Sequence, residues 1–272
     1  MAQQYPLQYP IMSHEDQMML KFKDVVQRHE INNDFARRLR NLEGYEIVVI
    51  ADDSGSMSTP NNTTNADPFG KSSTRWDELK KTLGVVVDIA SVMDKDGLDI
   101  YFLNRGTVRG VSHSSQLESM FANPPAGLTP LSPVLKAILT EKKQIARERK
   151  LLILIATDGQ PTNSQGEVDI PTLKRVLEFE RDPIDRIFVT FLACTDDEST
   201  MEYLNGWDKQ IKNLDVVDDY PSELREVRKA QGNAFKFSIG DYCVKSLLGC
   251  IDPYFDNLDE KSVAPKSCCV IC

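Results

Sequence analysis

The chain is expected to fold as an α/β domain, a doubly wound and mostly parallel sheet flanked by helices, and three observations carry that expectation. Ile47-Val48-Val49-Ile50-Ala51 and Leu151-Leu152-Ile153-Leu154-Ile155 are unbroken apolar runs, the mark of strands buried on both faces. Amphipathic helical patterns alternate with such runs from residue 75 onward, which points to crossover helices covering a parallel sheet. Both apolar runs stop at carboxylates, Asp52 and Asp158. Ligands of open α/β sheets bind at that end of the strands. Right-handed crossovers make the arrangement Rossmann-like.

Residues 1–12, with Tyr5-Pro6 and Tyr9-Pro10, are expected to be an extended or disordered lead. Ser13 and Asp16 have the spacing of a capping box, and Met18, Phe22, Val25 and His29 then share a helical face. A short helix is expected over 34–42 with Phe35, Leu39 and Leu42 inward. Residues 13–44 thus read as an N-terminal helical extension, either packed on the main domain or offered to a partner. His29 reads as an edge-of-core histidine, because no other His or Cys stands at ligand spacing.

The main domain is expected over 45–252. Its first strand, near 46–51, gives way to a polar stretch at 58–73 rich in Ser, Thr, Asn and Pro. A loop of that length is often functional. Trp76, Leu79, Leu83, Val86, Val87, Ala90 and Met93 line one face of a helix that ends near Asp94, with Gly97 breaking it. Strands are expected at 98–103 and 107–111, then a helix at 115–122. Pro124 to Leu131 is a rigid loop, followed by a helix with Val134, Leu135, Ile138, Leu139 and Ile145 inward. After the strand at 150–157 come a helix at 171–180, a strand at 186–193, a helix at 199–212 and a weak strand at 215–217. Helices at 222–229 and 242–251 close the domain, Pro253 ends the last, and 253–272 reads as a flexible tail.

Composition removes some functions. A net charge of -9 leaves no basic stripe to displace counterions, so no nucleic-acid binding is expected. No stretch approaches the ~20 apolar residues of a spanning helix. Met1 to Met12 lacks the pattern of a secretory signal. Of six cysteines, three crowd into the last five residues, and reduced thiols in a cytoplasmic setting are the expectation. Asn61 and Asn62 begin glycosylation-like triplets, which that setting would leave unused.

Three separated segments place small oxygen donors at the expected carboxyl edge: Asp52, Ser54 and Ser56; Thr129; and Asp158. Hard oxygens in this number suit Mg²⁺ or Mn²⁺, which keep several waters and want near-octahedral geometry. The order resembles the von Willebrand factor A domain family and its metal-ion-dependent adhesion site. Its Asp-x-Ser-x-Ser stands as Asp52-Asp53-Ser54-Gly55-Ser56, its threonine loop looks like Gly127-Leu128-Thr129-Pro130-Leu131, and its third element looks like Ala156-Thr157-Asp158-Gly159. The likeness covers about 45–250. It implies that Ser54, Ser56 and Thr129 offer hydroxyls to the cation, with Asp52 and Asp158 acting directly or through water. It also implies an open position filled by an Asp or Glu of a protein partner, hence a non-enzymatic interaction module. Asp53 has no assigned role, a hydrogen-bonded side chain being its simplest reading, and the 58–73 loop would overhang the metal.

Enzyme readings are weaker. Asp53-Ser54-Gly55 matches an aspartic-protease signature, but no second copy supplies the other carboxyl. A dehalogenase-type phosphatase would want Asp at position 54, where serine stands. No Gly-x-Ser-x-Gly elbow and no glycine-rich phosphate loop occurs. The alternative that survives is a metal-dependent, phosphatase-like hydrolase using Asp52 and Asp158. At the end of the chain, Cys269-Val270-Ile271-Cys272 fits a prenylation pattern, with Cys268 a second lipid anchor by palmitoylation. Two signals would allow peripheral membrane association at the cytosolic face. An unmodified tail or a Cys-x-x-Cys pair with a redox or metal role is the other reading.

Overall fold

The computed structural model describes residues 13–61, 73–94 and 96–260. The expected lead, most of the 58–73 loop and the tail cysteines Cys268 and Cys269 lie outside the described residues. The six strands are β1 (Tyr45–Ala51), β2 (Leu98–Phe102), β3 (Gly106–Val111), β4 (Lys150–Thr157), β5 (Ile187–Ala193) and β6 (Leu214–Val217). They form one sheet in the order β3-β2-β1-β4-β5-β6, parallel except for β3, which pairs antiparallel with β2. The chain grows from β1 toward β2 on one side and from β4 outward on the other. The β1/β4 boundary is therefore the point where strand order reverses, the place where open α/β sheets bind ligands.

Strand alternation divides the core. Ile47, Val49 and Ala51 face one layer, with the helices Arg75–Met93 and Ile239–Leu248. Val48 and Ile50 face the other, with the helices Leu131–Glu141 and Ile170–Phe179. Both faces of β1 and β4 are apolar because both are covered, which is why these strands read as unbroken runs.

The N-terminal extension, the helices His14–Arg28 and Asn33–Arg38 with a 3₁₀ turn Leu39–Leu42, belongs to the first layer. Phe35 is buried against Phe237, Tyr254 and Phe255. The Asn32 amide donates to Asp241 at 2.7 Å. His29 stands at the layer's edge, 3.1 Å from Asp88. Gly240 sits so close to the His29 carbonyl that a Cβ there would lie 2.2 Å from its oxygen. Of the two readings of this extension, packing on the domain is the arrangement found.

After β5, three elements differ from expectation. Pro253 opens a short helix, Pro253–Asp256, and Phe255 and Leu258 are fully buried, so 253–260 is packed rather than a flexible tail. The helix expected at 199–212 is broken into short turns because Gly206 adopts φ 77° between them. The last main-domain helix begins at Ile239, three residues early, because Ser238 and Asp241 form a capping box. Cys194, Cys243 and Cys250 are free thiols.

Candidate functional site

β1 and β4 lie side by side with Ala51 opposite Ala156, so both chains leave the sheet at one level. The Asp52 amide continues the ladder by donating to the Ala156 carbonyl at 2.9 Å. Asp52 then ends the strand with both carboxylate oxygens engaged. Oδ1 accepts from the Ser54 amide at 2.8 Å, and Oδ2 accepts from the Thr157 hydroxyl at 2.6 Å. Full burial pushes its carboxyl up to about 6, against the pull of those two hydrogen bonds.

The turn that Asp52 holds directs Ser54 and Ser56 at Asp158. The two serine hydroxyls are 3.0 Å apart, and the Ser56 hydroxyl donates to Asp158 Oδ1 at 2.7 Å. Ser56 is exposed while Ser54 and Asp158 are buried, so the donor set opens to solvent on one side. The other oxygen of Asp158 accepts from the Arg75 guanidinium at 2.8 Å.

The threonine loop is docked on the same turn. The Gly55 amide donates to the Gly127 carbonyl at 3.1 Å, and the Ala126 amide donates to the Asp53 carbonyl at 2.8 Å. Gly127 has φ 116°, and a Cβ there would lie 2.4 Å from Asn104 Oδ1, so the close approach needs glycine. Thr129, two residues on, is buried, with its amide donating to the Thr162 hydroxyl at 3.0 Å. Ser54, Ser56 and Asp158 are thus joined side chain to side chain. Asp52 holds them through the Ser54 amide, and Thr129 joins them through its loop.

Asp53 is explained by the fold. Its Oδ1 accepts from the Asn104 amide at 2.8 Å and the Asn104 side chain at 3.0 Å, and its Oδ2 lies 2.9 Å from Arg105 Nε. That pair is ionic with poor hydrogen-bond alignment, since Oδ2 accepts from no donor in good geometry. Asp53 faces the β2–β3 turn, away from Asp158, and pins it. Arg105 in turn donates to the Asn123 and Pro124 carbonyls at 3.0 and 2.6 Å, which steadies the threonine loop from outside.

The donor chemistry fits a hard divalent cation. Neighbouring oxygens of an octahedral site with bonds of ~2.1 Å stand about 3.0 Å apart. The Ser54–Ser56 separation of 3.0 Å is close to that spacing, and the Ser56–Asp158 separation of 2.7 Å is a hydrogen bond somewhat shorter than it. The set is built from hydroxyls, with no group of three or more His, Cys, Asp or Glu at ligating range among the described residues. Ser54, Ser56, Thr129 and Asp158 could hold a cation, with Asp52 acting through the turn or a water. Sequence reasoning missed Arg75, Thr157, Asn104 and Arg105. Thr157 stands beside Asp158 and could have been noticed, whereas nothing in the local sequence couples Arg75 to a strand 83 positions away.

No protein-family model and no curated protein sequence matches the chain. Among solved structures it is similar to a point mutant of the PilB minor pilin from Streptococcus sanguinis, with 10% identity and a TM-score of 0.46. The match covers 79% of this chain and 62% of the pilin, so this chain spans less than two thirds of that protein's length. A likeness this distant carries no argument about function.

Proposed function

We propose that the carboxyl edge of β1 and β4 is a divalent-cation site of the von Willebrand factor A type. In this reading the protein is a non-enzymatic module that binds an acidic residue of a protein partner through Mg²⁺ or Mn²⁺. Ser54, Ser56 and Thr129 offer hydroxyls, Asp158 offers a carboxylate, and Asp52 orients the turn. The observation that carries the reading is the side-chain chain from Ser54 through Ser56 to Asp158, bridging two strands at the switch point of the sheet. With few direct carboxylates, a cation bound there keeps a large share of its charge and supplies a Lewis-acidic position for an incoming Asp or Glu. The exposed Ser56 marks the side from which a partner would approach.

The hydrolase alternative is a metal-dependent one using Asp52 and Asp158, and a nucleophilic form of it would ask Asp52 to attack a substrate. Both of its oxygens are already committed, to Ser54 and Thr157, and it is fully buried. The structure therefore favours a positioning role for Asp52 over a nucleophilic one. Partner capture by the full chain in Mg²⁺ and in chelator tests the function. Capture lost in chelator and in the Ser54→Ala/Ser56→Ala double variant is the expected result. Chelator-insensitive capture together with phosphatase turnover would reverse the assignment.

A further inference from the structure

Arg75 is the first residue of the helix Arg75–Met93, directly after Thr74, whose hydroxyl and amide form a capping box with Asp77. The amino end of a helix carries positive partial charge, so a cation there needs a compensating partner. Asp77 and Glu78 supply negative charge in the same turn, yet the guanidinium is directed at Asp158. Its backbone is held on both sides of the polar loop: the Arg75 amide donates to the Thr59 carbonyl at 3.1 Å, and the Asn61 amide to the Ser73 carbonyl at 2.9 Å. The side chain is only 13% exposed, and that of Asp158 is fully buried.

We propose that Arg75 is a resident counter-cation of this site. Its guanidinium and a divalent cation draw on the same Asp158 carboxylate, so Arg75 sets the cation affinity and turns away from Asp158 as the cation binds. The inference rests on the metal-site reading given above. Asp158 has two oxygens, one facing Ser56 and the other facing Arg75. A divalent ion drawn to that carboxylate meets a like charge on its far side, and like charges in a poorly solvated pocket repel strongly. The guanidinium has somewhere to go. A cavity of about 400 Å³ borders Arg75, with Glu78, Lys81 and Asp219, the last already accepting from Ser222, on its wall, and Leu79, Val85 and Leu192 to cover the aliphatic stem. A partner carboxylate would restore the charge balance that two neighbouring cations upset. Cation and acidic partner therefore favour each other's binding.

The test is Mn²⁺ titration of the full chain, read as free-Mn²⁺ electron paramagnetic resonance, on wild type, Arg75→Gln, Arg75→Lys and Ser54→Ala/Ser56→Ala. Arg75→Gln is expected to tighten Mn²⁺ binding about ten-fold, the equivalent of ~1.4 kcal/mol. Arg75→Lys keeps the charge and stays near wild type, and the double serine variant loses binding. Circular dichroism checks folding, and Arg75→Met carries the same expectation should Arg75→Gln not fold. Wild-type binding with unchanged or weaker binding in both neutral variants overturns the counter-cation role and leaves the metal site standing. No binding in any variant removes the metal site and this inference with it. In a parallel Mg²⁺ titration followed by NMR, the Arg75 Nε–H resonance should shift, and a resonance that stays fixed refutes the turning away.

Discussion

The two ends of the central strands carry buried carboxylates in equal number but with different degrees of charge compensation. At the amino end, Glu46, Asp94 and Asp99 are buried, and each faces a Lys or Arg. The buried Lys142 ammonium bridges Glu46 at 2.7 Å and Asp99 at 2.6 Å. Arg149 reaches Glu46 and lies 3.5 Å from Asp94, and Arg109 lies 3.1 Å from Asp99. At the carboxyl end, Asp53 and Asp158 have one arginine each, and Asp52 has only hydroxyl and amide donors. The acidities of Asp99 and Asp52 differ in direction, although burial also raises Asp94 at the amino end. Burial raises Asp99, but the Lys142 hydrogen bond and charge outweigh it and hold that carboxyl below its usual range. Burial raises Asp52, and nothing with full positive charge offsets it. One end is a closed clasp that holds strands and helix together. The other is short of positive charge at the point where the sheet opens, which is what a cation-binding edge requires.

The comparison is most easily broken at Lys142. Lys142→Met leaves Glu46 and Asp99 without their shared cation and is expected to cost about 3–5 kcal/mol in urea unfolding. A cost under about 1 kcal/mol would mean the amino-end cluster is not a clasp. The next largest effect belongs to the other end. Mg²⁺ at roughly 100 times its dissociation constant should stabilise the protein by about 2.7 kcal/mol over chelator, measured as a shift of the urea midpoint. Ser54→Ala/Ser56→Ala should abolish that increment and Lys142→Met should leave it intact, since the two clusters sit at opposite ends of the sheet.

The smallest effect sharpens the electrostatic contrast. A carboxyl raised in the folded state favours folding most when protonated, below its unfolded value, and loses that contribution as pH rises through its folded value, about 6 for Asp52. Asp99 behaves oppositely, stabilising above its unfolded value and losing that contribution as pH falls through its depressed folded value. In chelator, Asp52→Asn should therefore gain on wild type by about 2 kcal/mol between pH 4 and pH 7, followed by thermal melts. A difference between the two proteins that does not change with pH would remove Asp52 from the charge imbalance.

Much of the fold was legible in the chain because its signals are local. Ile47 to Ala51 and Leu151 to Ile155 need no neighbour to be read as buried strands. The carboxylates that end them are visible in the same few residues. Pro253 misled because proline ends one helix and opens the next equally well. Only the burial of Phe255 against Phe35 of the N-terminal extension, with Leu258 buried in the same layer, decides between them.

By itself the sequence determined the parallel α/β layout and the residue types available at the strand ends, since period and composition are properties of short stretches. Tertiary structure decided what those residues face. Asp52 and Asp53 are neighbours in the chain, yet successive side chains point opposite ways, and one meets Thr157 while the other meets Asn104 and Arg105. The Arg75–Asp158 pair belongs to no motif, because charges find each other through space once the crossover helix is packed on the sheet.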